Sequence, residues 1–112
     1  SDYRFTSQLN VIWRESEPIS FAPGWKREKW FGVFTDKYYP WIRHSVLGWL
    51  YFDPNSVNQK AFWFYSSDIG EWFWSGLNVF PFAYSSSKND WVYFGATERR
   101  FYDFNEQKWM HY

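Results

Sequence analysis

Tryptophan and tyrosine recur at equivalent positions in successive segments of this sequence, and their rings are the side chains best suited to binding. Flat rings stack on the apolar C–H face of a pyranose, while the indole N–H and phenol O–H donate hydrogen bonds at its rim. Three or four such rings also form a cage for a quaternary ammonium ion. The alternative is that the repeated rings are simply the hydrophobic core. The candidate ligand-binding residues are Trp49, Tyr51, Trp72, Trp74, Trp91, Tyr93 and Trp109.

Other residues with chemical potential do not form a catalytic or metal-binding pattern. A glycosidase needs two carboxylates facing each other across a cleft, whereas the carboxylates here fall mostly in predicted turns, where such side chains cap backbone N–H groups. His44 and His111 lie far apart, without Glu or Cys at ligand spacing. We therefore expect a protein that is not an enzyme and has no cofactor, catalytic residues or metal site. The carboxylates considered are Asp36, Asp68, Glu71, Asp90, Asp103 and Glu106.

Charge and composition exclude several classes of partner. The formal net charge is zero, with 12 Lys and Arg against 12 Asp and Glu. Basic residues cluster at Lys26, Arg27 and Lys29 and again at Arg99 and Arg100, but a neutral chain lacks the positive charge that supplies most nucleic-acid affinity. No stretch is apolar for long enough to predict a membrane span. The absence of cysteine excludes a disulfide framework and a thiolate zinc site.

The rings lie in segments that predict β-hairpins. In "FWFYSSDIGEWFW" (62–74), apolar arms flank a turn of Ser, Asp and Gly, and the pattern returns in residues 81–94 and 100–112. An aromatic residue stands seven positions before a Trp in each segment, as in Tyr65 and Trp72. We therefore predict an all-β fold, an antiparallel meander of serial β-hairpin repeats with seven to ten short strands and almost no helix. The expected pairs are Phe34 and Trp41, Tyr65 and Trp72, Tyr84 and Trp91, and Tyr102 and Trp109.

Residues 1–24 contain fewer rings and more turn-forming residues than the rest of the chain. We interpret this segment as an N-terminal strand and connector, with possible strands at Tyr3–Phe5 and Val11–Trp13. Residues 25–112 are interpreted as the aromatic β-hairpin repeat domain, cut from a larger protein. The two parts together form a single domain.

Strands such as "GWLYF" (48–52) carry large side chains on both faces, because successive residues point to opposite sides of a sheet. A half-buried strand normally alternates apolar with polar residues. We therefore expect the sheet to close on itself, to stack as a solenoid of hairpins or to pack against a partner. In each case one face is a core of rings and the other is a ladder of Trp and Tyr.

The segments "GWLYF", "GEWFWS", "VFPFAYS", "DWVYF" and "RFYDFNEQKWM" resemble an uncharacterised tryptophan-rich repeat found near the C-termini of large secreted or surface proteins of environmental bacteria. The resemblance covers about residues 25–112 and implies an accessory C-terminal module. "GWLYF" and "DWVYF" are also similar to the choline- and glucan-binding cell-wall repeats. That similarity implies hairpin solenoids with aromatic pockets, although the segments opening at Phe62, Phe82 and Arg100 lack its Gly-Trp start.

These patterns predict a non-catalytic binding or anchoring module of an extracellular or cell-surface protein. The expected partner is a carbohydrate or cell-envelope polymer held by exposed Trp and Tyr. The alternative is a structural module that associates with itself, with a domain of its parent protein or with a filament neighbour. Exposure of the tryptophans distinguishes the two interpretations, because an open row of rings favours ligand binding and complete burial favours a scaffold.

Overall fold

The computed structural model describes residue 13, residues 15–58 and residues 60–112, which form one antiparallel β-sheet without a helix. Eleven strands follow one another in sequence order across the sheet. The predicted all-β meander is therefore confirmed, and the first two strands, which are very short, bring the number above the predicted range. The strands are β1 (Glu17–Pro18), β2 (Lys26–Glu28), β3 (Gly32–Tyr38), β4 (Trp41–His44), β5 (Gly48–Phe52), β6 (Ala61–Ser66), β7 (Glu71–Gly76), β8 (Phe82–Ser85), β9 (Asp90–Phe94), β10 (Arg100–Asp103) and β11 (Lys108–His111).

Consecutive hairpins pair directly with each other, so the fold is one continuous sheet that does not close into a barrel. Of the arrangements considered from the sequence, neither a closed sheet nor a stack of separate hairpins is formed. The predicted strand Tyr3–Phe5, and Val11–Trp13 apart from Trp13, lie outside the described residues. Within the connector segment, Glu17 and Pro18 pair with Arg27 and Lys26.

Three of the four predicted ring pairs are direct cross-strand partners. Tyr65 lies opposite Trp72, Tyr84 opposite Trp91 and Tyr102 opposite Trp109. The predicted pair of Phe34 and Trp41 is wrong, because the register between β3 and β4 shifts between Thr35 and Tyr38. This irregularity brings Tyr38 opposite Trp41 and leaves Phe34 opposite His44.

One face of the sheet, here called the core face, is built mainly from phenylalanine. Trp13 covers its first half, with ring centroids 4.7 Å from Phe34 and 5.2 Å from Phe52. Phe is suited to this position because its ring has no polar group that needs a partner when buried. The apolar side chains of the core face are Phe34, Ile42, Leu50, Phe52, Phe62, Phe64, Phe73, Ala83, Val92, Phe94 and Phe101, each at most 4 % exposed.

The sheet coils around its core face. Phe64 on β6 and Phe94 on β9 are three strands apart, which corresponds to about 14 Å in a flat sheet, yet their ring centroids are 6.2 Å apart. The coil also brings the β9–β10 loop against earlier turns. There, the Arg99 guanidinium donates to the Val46 carbonyl at 2.9 Å and to the Asp68 carboxylate at 2.5 Å. Coiling hides the core face and leaves the opposite face outward.

Candidate functional site

All seven predicted ligand-binding residues lie on the outward side of the sheet, here called the open face. The cross-strand pairs place them there, because residues directly opposite each other project to the same side. On strands β4 to β11 the open face consists of Trp41, Arg43, Trp49, Tyr51, Ala61, Trp63, Tyr65, Trp72, Trp74, Phe82, Tyr84, Trp91, Tyr93, Arg100, Tyr102, Trp109 and His111.

Four tryptophans on the open face reach solvent to nearly the same extent. Trp41 and Trp91 are 39 % exposed, and Trp72 and Trp109 are 38 % exposed. The remaining candidates, Trp49, Tyr51, Trp74 and Tyr93, are half-buried between their neighbours. Exposure is therefore intermediate between an isolated row of rings and complete burial.

The rings form three rows, each crossing four strands and ending at an exposed tryptophan. Each row starts two strands after the previous one and is displaced by two residues along the strands. The rows are Trp41–Tyr51–Tyr65–Trp72, Trp63–Trp74–Tyr84–Trp91 and Phe82–Tyr93–Tyr102–Trp109.

This displacement places Trp72, Trp91 and Trp109 on a diagonal line. In a flat sheet each step would cross two strands, or about 10 Å, and one row, or about 7 Å, which together give about 12 Å. Because the step of two strands and one row repeats, the diagonal suits an extended ligand with repeating units better than a single small molecule.

The rings of the open face pack mainly edge to face. Trp91 lies 5.7 Å from Tyr84 at 76° and 6.3 Å from Trp74 at 77°, and Trp109 lies 5.5 Å from Tyr102 at 76°. Such pairs contribute about 0.5–1.5 kcal/mol beyond their buried area. The open face is therefore not a set of coplanar rings. Each exposed tryptophan is instead held in place by neighbouring rings, so its orientation is largely fixed before a ligand arrives.

Small polar residues in the hairpin turns hold the Tyr–Trp pairs. Ser66, Ser85 and Asp103 each directly follow the Tyr of a pair, are buried, and accept backbone N–H groups of the following turn. The Asp103 carboxylate accepts two of these, at 2.9 Å from Asn105 N and 3.1 Å from Glu106 N. Sequence analysis treated these residues as ordinary turn formers, although a Ser or Asp directly after each paired Tyr marks this cap.

The carboxylate of Glu71 joins two neighbouring turns. Its Oε1 accepts the hydroxyls of Ser85 at 2.8 Å and Ser87 at 2.6 Å, and its Oε2 lies 3.3 Å from Lys88 Nζ. Burial alone would raise the pKa of Glu71, but these hydrogen bonds and the Lys88 charge together hold it below its usual value. Lys88 Nζ also lies 3.6 Å from Asp103 Oδ2.

His44 is a buried part of the core face. Its Nδ1 accepts the N–H groups of Val46 and Leu47, both at 3.1 Å, and its Nε2 donates to the Phe31 carbonyl at 2.7 Å. The accepted bonds fix the neutral tautomer with the proton on Nε2. Burial lowers the pKa of His44, partly opposed by the bond to Phe31.

We expect the free energy of unfolding to fall as the pH drops below 6.5, the ordinary His pKa. The unfolded chain then takes up a proton that folded His44 resists, so acid favours unfolding, by about 1 kcal/mol between pH 7.5 and pH 5.5. Urea unfolding of the wild type, His44→Gln and His111→Gln at both pH values measures this dependence. The His111→Gln control should retain it, and its persistence in His44→Gln would assign it to other groups.

The candidates omitted several rings of the open face, and the exposed tryptophan among them is Trp41. It opens β4, pairs with Tyr51 and is as exposed as Trp91. The signal was present in the sequence, since Trp41 was assigned to a ring pair like those of Trp72, Trp91 and Trp109. The partner predicted for Trp41 was wrong, because Phe34 belongs to the core face and Trp41 lies opposite Tyr38.

Comparison with known proteins finds no matching family model, no matching curated protein and no matching solved structure. In the described part of the chain, no helix has the length and apolarity needed to cross a membrane. The same residues include no group of three His, Asp or Glu side chains arranged to hold a metal ion.

Proposed function

We propose that this chain is a non-catalytic module of a secreted or cell-surface protein that binds a carbohydrate or cell-envelope polymer on its open face. The observation that carries the proposal is the diagonal of exposed tryptophans, each braced by neighbouring rings. Sugar rings offer flat apolar faces edged with hydroxyls, which suits indole faces lying beside Tyr and Trp polar groups. The regular spacing favours a polymer. The likeness to tryptophan-rich C-terminal modules agrees with a targeting or anchoring role.

Replacement of Trp72 and Trp91 by Ala tests the proposal. We expect the wild type to be retarded in gels containing a bound polysaccharide, and the double variant to bind at least about tenfold more weakly, because central aromatic residues dominate such contacts. Phe21→Ala is the matched control. Phe21 is 85 % exposed and lies outside the strands of the open face, so its loss should leave retardation unchanged.

Thermal unfolding checks that each variant remains folded before its migration is interpreted. The glycan panel includes neutral, amino-sugar and acidic polymers. Unchanged migration of the folded wild type across this panel contradicts carbohydrate binding.

The second candidate is a module that associates with another copy of itself or with a domain of its parent. It is favoured by the continuity of the open face and by Tyr38, Phe82 and Phe104, which are 55 %, 44 % and 41 % exposed. Contiguous apolar surface of this kind commonly marks an association site. Light scattering over a range of concentrations tests self-association. A mass that rises with concentration, together with absent retardation in polysaccharide gels, supports this candidate over the first.

A further inference from the structure

Charged side chains on strands β4 to β11 are sorted between the two faces of the sheet, although the whole chain is neutral. On the described strands β4 to β11, the charged residues of the open face are Arg43 and Arg100. The carboxylates of these strands project from the other face. In the strand register, Glu71 lies opposite Ser66, Asp90 opposite Ser85 and Asp103 opposite Lys108. The open face of these strands therefore carries two positive charges and no carboxylate.

Each of the two arginines lies over the ring of a tryptophan on the open face. The guanidinium carbon of Arg43 is 5.5 Å from the ring centroid of Trp49, and that of Arg100 is 4.2 Å from the ring centroid of Trp109. Stacking on a ring leaves the guanidinium N–H donors at its edge available to an acceptor. Arg100 has one carboxylate beside it, with Nε 3.1 Å from Oε2 of the exposed Glu98.

The two arginines lie beside different aromatic rows. Along the open face they are six strands apart, on β4 and β10, whereas through space the coil brings these parts of the sheet together, because Arg99 donates to the Val46 carbonyl at 2.9 Å. A ligand lying along the rings therefore meets Arg43 beside the first row and Arg100 beside the third. A guanidinium recognises carboxylate, sulfate and phosphate groups through paired N–H donors.

We propose that the polymer bound by the open face is an acidic polysaccharide. Its sugar rings stack on the exposed tryptophans while its anionic groups pair with Arg43 and Arg100. This inference rests on the proposed carbohydrate binding and adds the charge of the substrate. Single-stranded nucleic acid is the competing polyanion, but it carries a charge on every nucleotide, and two arginines neutralise few of them.

Affinity measurements with polymers matched for everything except charge test the inference. The probes are polygalacturonate, its neutral methyl ester, hyaluronate, a neutral β-glucan and oligo-deoxythymidine, at low and at physiological ionic strength. We expect the acidic glycans to bind more tightly than the neutral ones, with affinity that falls as salt screens the arginines. Arg43→Gln and Arg100→Gln should each weaken acidic-glycan binding by up to about fivefold and leave neutral glycans unaffected.

Lys108→Gln is the matched control. Lys108 is exposed, but it lies opposite Asp103 in the strand register and so belongs to the core side of the sheet. Its loss removes one positive charge without changing the open face. Equal or tighter binding of neutral glycans, or equal effects of Lys108→Gln and the two arginine variants, would overturn the inference and leave carbohydrate binding intact. Preference for oligo-deoxythymidine also overturns it. Failure to bind any glycan contradicts the proposed function itself.

Discussion

Phe73→Ala should destabilise the protein by about 3–5 kcal/mol, whereas Trp72→Ala, one residue away, should cost about 1–2 kcal/mol. Phe73 is fully buried on the core face, where its ring centroid lies 5.6 Å from Phe64 and 5.2 Å from Phe94. Removing its ring leaves a cavity that the coiled sheet cannot easily fill. Trp72 is on the open face and loses mainly its contacts with Tyr65 and Tyr51.

Urea unfolding followed by circular dichroism measures both costs in the same strand and with the same method. The pair forms an internal control, because the two residues differ in the face they occupy and share the same local backbone. Equal destabilisation by the two substitutions, or a larger cost for Trp72→Ala, would contradict the assignment of the two faces.

Gly76→Ala is expected to destabilise the protein by about 2–3 kcal/mol through a backbone clash. A Cβ at Gly76 would lie 2.2 Å from the carbonyl oxygen of Lys60, which accepts the Leu77 N–H at 2.8 Å. This oxygen is part of the backbone beside the paired strands β6 and β7, so it cannot move aside without disturbing their hydrogen bonds. The whole hairpin must shift to admit the methyl group.

Gly70→Ala is the comparison for this substitution. Gly70 has a φ of +82°, but its Cβ would meet nothing nearer than the Tyr65 hydroxyl at 4.0 Å. Its cost is therefore the left-handed backbone conformation alone, about 1 kcal/mol. Thermal unfolding of both variants ranks them, and a smaller loss for Gly76→Ala than for Gly70→Ala would rule out the clash as its cause.

The spacing of ring pairs was sufficient to predict the hairpins wherever the turn was regular. Tyr65 and Trp72 stand seven residues apart and face each other because Ser66 caps the turn between them. The same spacing failed for Phe34 and Trp41, since the register shift near Thr35 changes which residues are opposite. A shift of this kind has no strong local signature in the sequence.

The choice of face was present in the sequence as a difference between ring types. Buried positions such as Phe64 and Phe73 have rings without polar atoms, whereas Trp72 and Tyr65 carry groups that seek water or a partner. Counting aromatic residues together concealed this difference. Net charge likewise concealed that Arg43 and Arg100 lie on the open face while the strand carboxylates Glu71, Asp90 and Asp103 lie on the other, because it averages over both faces.

The shape of the sheet depended on contacts between distant parts of the chain. Arg99 joins the β9–β10 loop to Asp68 and to Val46, which are 31 and 53 residues away in sequence. Local patterns of apolar residues contain no information about such pairs. For this reason the sequence left barrel, stack and partner-bound sheet as alternatives, and the observed open coil was not among the specific arrangements considered.

Site-resolved solvent exposure of the tryptophans tests the central claim most directly. Fluorine NMR of the protein labelled with fluorotryptophan, assigned by single Trp→Phe variants, reports each indole separately. We predict that Trp41, Trp72, Trp91 and Trp109 respond to a soluble paramagnetic probe and that Trp13, which is 3 % exposed, does not. Protection of those four indoles, or equal accessibility of Trp13, would contradict an outward aromatic face over a phenylalanine core.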